Sequence, residues 1–344
     1  MRAIRALAGL VAGVAAAALP ASRVGSGERE PTVTVLERTS DPLLRADQPW
    51  EDFSLSYCQV LRIGGAWQLW YNARDHHYRG AADGFVCYAR SKDGVRWEKP
   101  ALGLVAYAGE RRNNILAVGC NLGSVFVDEA APAAERFKAV VTRPSGDHSG
   151  VFGGTSADGI HWVWGDEPLL KCSSDTANVC FRDGGRYRLY SRLWTEPPYG
   201  GRRMIGYSES ARFGAFPDPA VILQADPQDA GDVHFYSSAA TKLGPQRYLM
   251  LPSVFTTGDG LVRLHAAFSR DGRQFQRVGR CPVVAPGPGF DRAGLYASPG
   301  AVPEGRPNTW WYYYLGLATP HDQSQPGKVV SDGGIGRFLV RVVD

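Results

Sequence analysis

The chain has 344 residues, 44% hydrophobic and 21% charged, with a formal net charge of +4. This is an ordinary globular composition with ample material for a core. The charge is too mild, and Lys/Arg-rich runs are missing, so neither nucleic acid nor an anionic membrane surface is called for as a partner. Gly 41 and Pro 23 are high counts and point to many turns.

The first residues read as a secretory signal. Arg2 and Arg5 precede an apolar run from Leu7 to Leu19, and Pro20-Ala21-Ser22 supplies small residues for cleavage. The expectation is an exported chain: a signal peptide over 1–22, one domain over 23–344, and a secreted or periplasmic location. Export permits disulfides. The six cysteines (Cys58, Cys87, Cys120, Cys172, Cys180, Cys281) allow many pairings, although Cys58 and Cys180 sit in apolar strand-like runs that suit buried thiols.

After a polar leader, Thr32–Leu36 alternates as one isolated strand. A pattern then recurs five times: an apolar strand opened by a polar residue, a turn, an aromatic strand, a loop and a hairpin. The first unit runs through Leu55–Leu61, Trp67–Ala73 and Phe85–Arg90 with Trp97. The second has Ser124–Val127, Arg136–Thr142 and Val151–Thr155 with Trp162, and the third Ala177–Phe181, Tyr187–Arg192 and Met204–Ser208 with Phe213. The fourth has Val233–Ala239, Arg247–Leu251 and Leu264–Ser269 with Phe275, and the fifth Leu295–Val302, Trp310–Leu317 and Ile335–Val342. The hairpin is a literal repeat. Ser91-Lys92-Asp93-Gly94 returns as Ser156-Ala157-Asp158-Gly159 and Ser269-Arg270-Asp271-Gly272, and in degenerate form from Ser208. Asp93, Asp158 and Asp271 are therefore read as turn formers.

Five units of four strands predict an all-β, five-bladed β-propeller in one domain, its ring closed by the N-terminal strand. A β-sandwich with a second domain is the alternative. In a propeller the starts of the inner strands and the ends of the second strands share one face around the axis. That collects Glu51, Asp52, Asp175 and Asp232 with Arg74, His76, His77, Arg143, Arg192, Trp194, Tyr296 and His321 at one mouth. Such openings are the default ligand sites of closed β-structures. Carboxylates crowded there suit glycosidic bond cleavage, which needs one acid to protonate the leaving oxygen and one carboxylate to attack or to activate water. The expected catalytic residues are Asp52, Asp175 and Asp232. The others are expected to hold a carbohydrate, with Trp194 stacking on a sugar face. No ligand cluster demands a metal, though an axial calcium is compatible with the fold. Oligomeric state is not readable.

Trp50-Glu51-Asp52-Phe53, Leu69-Trp70-Tyr71, the stretch Tyr88 to Pro100 and Asn113-Asn114-Ile115 resemble the exported five-bladed glycoside hydrolases of families 32 and 43, over roughly Pro42 to His321. The resemblance implies action on arabinans, xylans or fructans, often at furanosides, through three funnel acids. It implies that Asp52 is the first-blade base or nucleophile and that Asp175 and Asp232 are the later acids. The chain lacks an Asn-Asp-Pro-Asn-Gly motif and an Arg-Asp-Pro triplet. The arginines also resemble those of the mannoside phosphorylases, where phosphate replaces the attacking water. Three readings follow: a hydrolase, a phosphorylase or hydrolase of anionic sugars using Arg74, Arg143 and Arg192, and a binding propeller without catalysis.

Overall fold

The computed structural model describes residues 31–321 and 333–343, and the expected signal peptide lies outside them. The fold is an all-β propeller. Four sheets have four strands each. The first holds Ser54–Ile63, Ala66–Arg74, Phe85–Ser91 and Ile115–Val118. The second holds Asn121–Val127, Phe137–Ser145, His148–Ser156 and Trp162–Leu170. The third holds Val179–Asp183, Arg186–Glu196, Gly200–Ser210 and Ala220–Leu223. The fourth holds Ala240–Gly244, Arg247–Met250, Ala267–Ser269 and Gln276–Arg277.

A fifth separate blade, expected from the repeats, does not stand alone. Its strands Gly294–Ala297, Thr309–Leu317 and Gly334–Val343 belong to a nine-stranded sheet, which also takes Val233–Ser237, Ser253–Thr256 and Leu261–Leu264. The reason lies in the fourth unit. Ala239, at φ 39, interrupts its inner strand, and Leu251-Pro252 interrupts the second. Proline has no amide to donate to a ladder. The freed ends reach the last unit through one parallel pairing, Val262 opposite Gly294. At the far edge Thr32–Arg38 runs antiparallel to Gly334–Val343, from Thr32 opposite Val343 to Arg38 opposite Phe338. Arg38 then ion-pairs with buried Asp291.

Buried polar side chains stitch each unit to the next. Asn72 bonds both the amide (2.6 Å) and the carbonyl (3.2 Å) of Leu122. Ser124 accepts from the Cys180 amide at 2.9 Å, and Arg192 Nε donates to the Tyr236 carbonyl at 2.9 Å. Thr241 accepts from the Gly300 amide at 3.0 Å, and Gln59 donates to the Pro299 carbonyl at 2.7 Å. Buried groups left unpaired are costly, so these bonds fix which inner strands are neighbours. Gly123 shows how close they come, since a Cβ there would lie 2.3 Å from the Asn178 carbonyl oxygen.

The repeated hairpins form a second ring of contacts. In each, the serine hydroxyl and the aspartate carboxylate accept from the turn amides, as Ser91 does from Gly94 (2.9 Å) and Asp93 from Val95 and Arg96 (2.8 Å each). The glycine carbonyl is then gripped by an aromatic side chain of the preceding unit. Tyr313 reaches Gly94 (2.6 Å), Trp70 reaches Gly159 (2.7 Å) and Tyr190 reaches Gly272 (2.6 Å). The amides of Arg96 and Val95 hold the Asp93 carboxyl down to about 2. All six cysteines are free, and Cys58, Cys87, Cys120 and Cys180 are buried.

Candidate functional site

Antiparallel pairing brings inner-strand starts to second-strand ends on one face: Ser54 opposite Arg74, Val233 opposite Thr256, Gly294 opposite Leu317. Two bulges then aim tyrosines inward. Ser56 pairs with Asn72 and Cys58 with Tyr71, so Tyr57 is an extra residue, held at φ 30. Pairing also shifts between Phe235 and Ser237, freeing Tyr236. Bulges of this kind redirect a side chain at the cost of a ladder bond. Tyr296 meets both rings edge-on, at 5.8 Å from Tyr57 and 5.4 Å from Tyr236.

Cations surround this tyrosine cluster. The Arg192 guanidinium lies 3.8 Å from the Tyr236 ring centroid and is 1% exposed. Its Nη1 donates to both oxygens of Asp175 at 3.0 Å. Burial opposes the Arg192 charge, but Asp175 and then Tyr236 outweigh it and its pKa rises. Arg203 stacks between Trp194 (4.4 Å), its cross-strand partner, and Tyr236 (4.9 Å). Burial, then Arg192, pushes Arg203 below the ordinary arginine range. Its Nη1 sits 3.3 Å from His234 Nδ1, and burial followed by Arg203 lowers the His234 pKa. That histidine is held neutral, and its Nδ1 also accepts from the Arg203 backbone amide at 3.3 Å. His321 Nε2 lies 3.1 Å from the Tyr236 hydroxyl. For that phenol, burial works upward, but Arg192, ahead of His321 and Arg203, brings it down to about 7. Burial pushes Tyr57 and Tyr296 up instead.

The expected residues distribute as follows. Asp175, Arg192, Trp194, Tyr296 and His321 meet at this cluster. Asp232 stands at its edge, accepting from the Gly258 amide at 3.0 Å. Asp52 forms a separate pair on the first unit, bonding the His76 amide (2.8 Å) and Nδ1 (2.7 Å), and the His77 ring lies tilted against His76 at 3.9 Å. Arg74 lies over Tyr78 at 4.4 Å and contributes positive potential to Tyr57. Two expectations are corrected. Glu51 is 0% exposed, its carboxylate taken by Tyr71 (2.6 Å), Lys99 (2.6 Å) and the Asp47 amide, so it braces the first unit and is closed to solvent. Arg143 turns away onto Phe152 (4.1 Å) and the Gly165 carbonyl.

Tyr57, Tyr236 and Arg203 escape the sequence reading. A signal was present: three inner strands carry a tyrosine at matching depth, in Ser56-Tyr57-Cys58, Phe235-Tyr236-Ser237 and Leu295-Tyr296-Ala297. Several donors in the site have no protein partner: Arg74 Nε, Arg192 Nη2, Arg203 Nε and Trp194 Nε1. Beside Arg203 opens a cavity of about 240 Å³, lined by Thr195, Glu196, Gly201, Arg202 and Met204. Among the described residues no group of His, Cys, Asp or Glu gathers as a metal site, so no side-chain set for an axial calcium is found there.

No protein-family model and no curated protein matches the chain. Solved structures do. An N-acetylgalactosamine deacetylase from F. plautii, in complex with blood group B trisaccharide, superposes with TM-score 0.63 at 15% identity, covering 89% of this chain and 95% of that one. A β-1,2-mannobiose phosphorylase from Listeria innocua gives 0.61 at 15% identity, covering 90% and 96%. A family 117 glycoside hydrolase from Zobellia galactanivorans gives 0.57 at 13%, covering 90% of each. The likeness is one of fold: the chain shares its propeller with glycoside hydrolases and phosphorylases.

Proposed function

We propose that this chain is an exported enzyme that cleaves glycosidic bonds of an oligo- or polysaccharide at the tyrosine-lined mouth. The observation that carries this reading is the convergence there of a partly exposed carboxylate, Asp175, with tyrosines, Trp194 and unpaired arginine donors. Sugar hydroxyls need such donors, and sugar faces need such rings. Asp52, with its side chain 43% exposed, and Asp232 supply the further carboxyls that acid and base roles require. The propeller neighbours support the substrate class, and the leader's charge and hydrophobic pattern supports export. We also read the nine-stranded sheet as containing a fifth blade that Thr32–Arg38 completes, supported by its pairing with Gly334–Val343.

A second reading has its own support. Arg74 and Arg203 have no carboxylate within ion-pair reach among the described residues, and both lie against the cluster. Guanidinium forks match carboxylate, sulfate and phosphate. The substrate would then carry an acidic group, or phosphate would replace water. Furanoside specificity, as in arabinan or fructan, stays within the proposal as one arm of its test.

The test is a product screen over neutral and acidic oligosaccharides, furanosides included, with and without phosphate, using wild type and the Asp52→Asn, Asp175→Asn and Asp232→Asn variants. Sugar release by wild type, reduced about 10²-fold or more in a variant, is expected for a general acid or base. Equal activity in all three variants would remove the carboxylate assignment. Phosphate-dependent release selects phosphorolysis, and saturable binding without turnover selects a binding propeller.

A further inference from the structure

Resting on the glycosidic-bond reading, we infer that Tyr236 is the proton-accepting residue of the mouth, taking a proton from the water that attacks the anomeric carbon. Its position is built for this. The bulge between Phe235 and Ser237 takes it out of the ladder, and its backbone carbonyl is clamped by Arg192 Nε. The guanidinium carbons of Arg192 and Arg203 lie 3.8 Å and 4.9 Å from the ring centroid, and His321 meets the hydroxyl. A phenolate forming there has three positive or donor groups around it. Against them stand one carboxylate, Asp175, and the phenols of Tyr57 and Tyr296, both pushed towards the neutral form by burial. His234, on the same strand, is held neutral and adds no charge. Asp175 is ill placed for the same task, because Arg192 occupies both its oxygens. It positions the arginine that favours the phenolate.

The step balances without a co-reactant. As the water oxygen bonds to the anomeric carbon, one proton passes to Tyr236 Oη. The bond to the leaving oxygen breaks, and that oxygen takes a proton from a carboxyl of Asp52 or Asp232. The proton on Tyr236 then returns through solvent to that carboxylate. An ionised phenol at neutral pH, drawn down to about 7, is in the range where a general base is most effective.

Two readouts test the inference. Ultraviolet titration of the wild type is expected to show one tyrosinate forming near pH 7, absent in Tyr236→Phe and moved to higher pH in Arg203→Met. No such step overturns the inference whatever the activity. On a glycan that wild type cleaves, Tyr236→Phe is expected to lose about 10²- to 10⁴-fold in kcat, with its melting temperature kept and the acidic limb of the pH profile gone. Activity within about twofold of wild type, with the limb intact, also overturns it while the glycosidic-bond reading stands. A wild type that cleaves no glycan removes that reading instead, and Tyr236's catalytic role with it; the titration still separates the two failures.

Discussion

The seams between units and the mouth use the same residue types to opposite ends. At the seams, the turn aspartates and Asn72 are saturated. Asp93 accepts two amides and a serine hydroxyl, and Asn72 uses both ends of its amide on Leu122. At the mouth, Arg74, Arg192, Arg203 and Trp194 each keep a donor without a protein partner, and Tyr57 sits in a backbone conformation that costs on the order of 1 kcal/mol or more. Saturated polar groups hold a shape. Unsaturated ones crowded beside an opening are what a ligand completes.

The contrast can be broken first at a seam. Gly123→Ala drives a Cβ into the Asn178 carbonyl, so a loss of roughly 2–4 kcal/mol is expected in chemical denaturation. A loss under about 0.5 kcal/mol would mean the inner strands are not locked together. At the mouth the expected order reverses. Asp175→Asn, by loosening the arginine that favours the Tyr236 phenolate, should cut turnover by about 10- to 10²-fold, with a smaller stability loss of about 1–3 kcal/mol from the weakened bond to buried Arg192. Kinetics and melting run on the same preparation decide which loss dominates.

Arg203→Met sharpens the picture further. Its stacked guanidinium, with a free Nε and no carboxylate in ion-pair reach among the described residues, predicts about a tenfold rise in KM for acidic glycans and little change for neutral ones, one hydrogen-bonded charge being worth roughly 1.5–3 kcal/mol. An equal rise for both would assign Arg203 to packing. The turns predict an acid effect. Asp93, held by the Arg96 and Val95 amides, and Asp158, lowered by its His161 and turn-amide bonds although burial works upward, have depressed folded pKa values. Their stabilisation is complete above the unfolded carboxyl value of about 4 and is lost as pH falls towards 2. Ser156→Ala with Asp158→Asn should flatten that acid slope. The smallest effect belongs to Arg143→Ala, where activity within about twofold is expected, because this arginine faces Phe152 and the second unit's own backbone. A larger drop would return Arg143 to the site.

Much of this was legible in the residues. The Ser-x-Asp-Gly copies and the alternating aromatic strands determined a propeller built of repeats, because strand period and turn chemistry are local properties. The polar residues before Val179 and Val233 marked the face that gathers function. Other features required the folded chain. Glu51 and Asp52 are adjacent in sequence, yet one is sealed against Tyr71 and Lys99 while the other reaches solvent, and only packing separates them. The merging of the last units into nine strands follows from interruptions at Ala239 and Pro252, whose consequence depends on what lies alongside. Tyr236 owes its character to Arg192, Arg203 and His321, residues up to 85 positions away along the chain. Ionisation depends on charges and burial in space, which a linear sequence does not carry, so the nature of that phenol was decided by the tertiary structure alone.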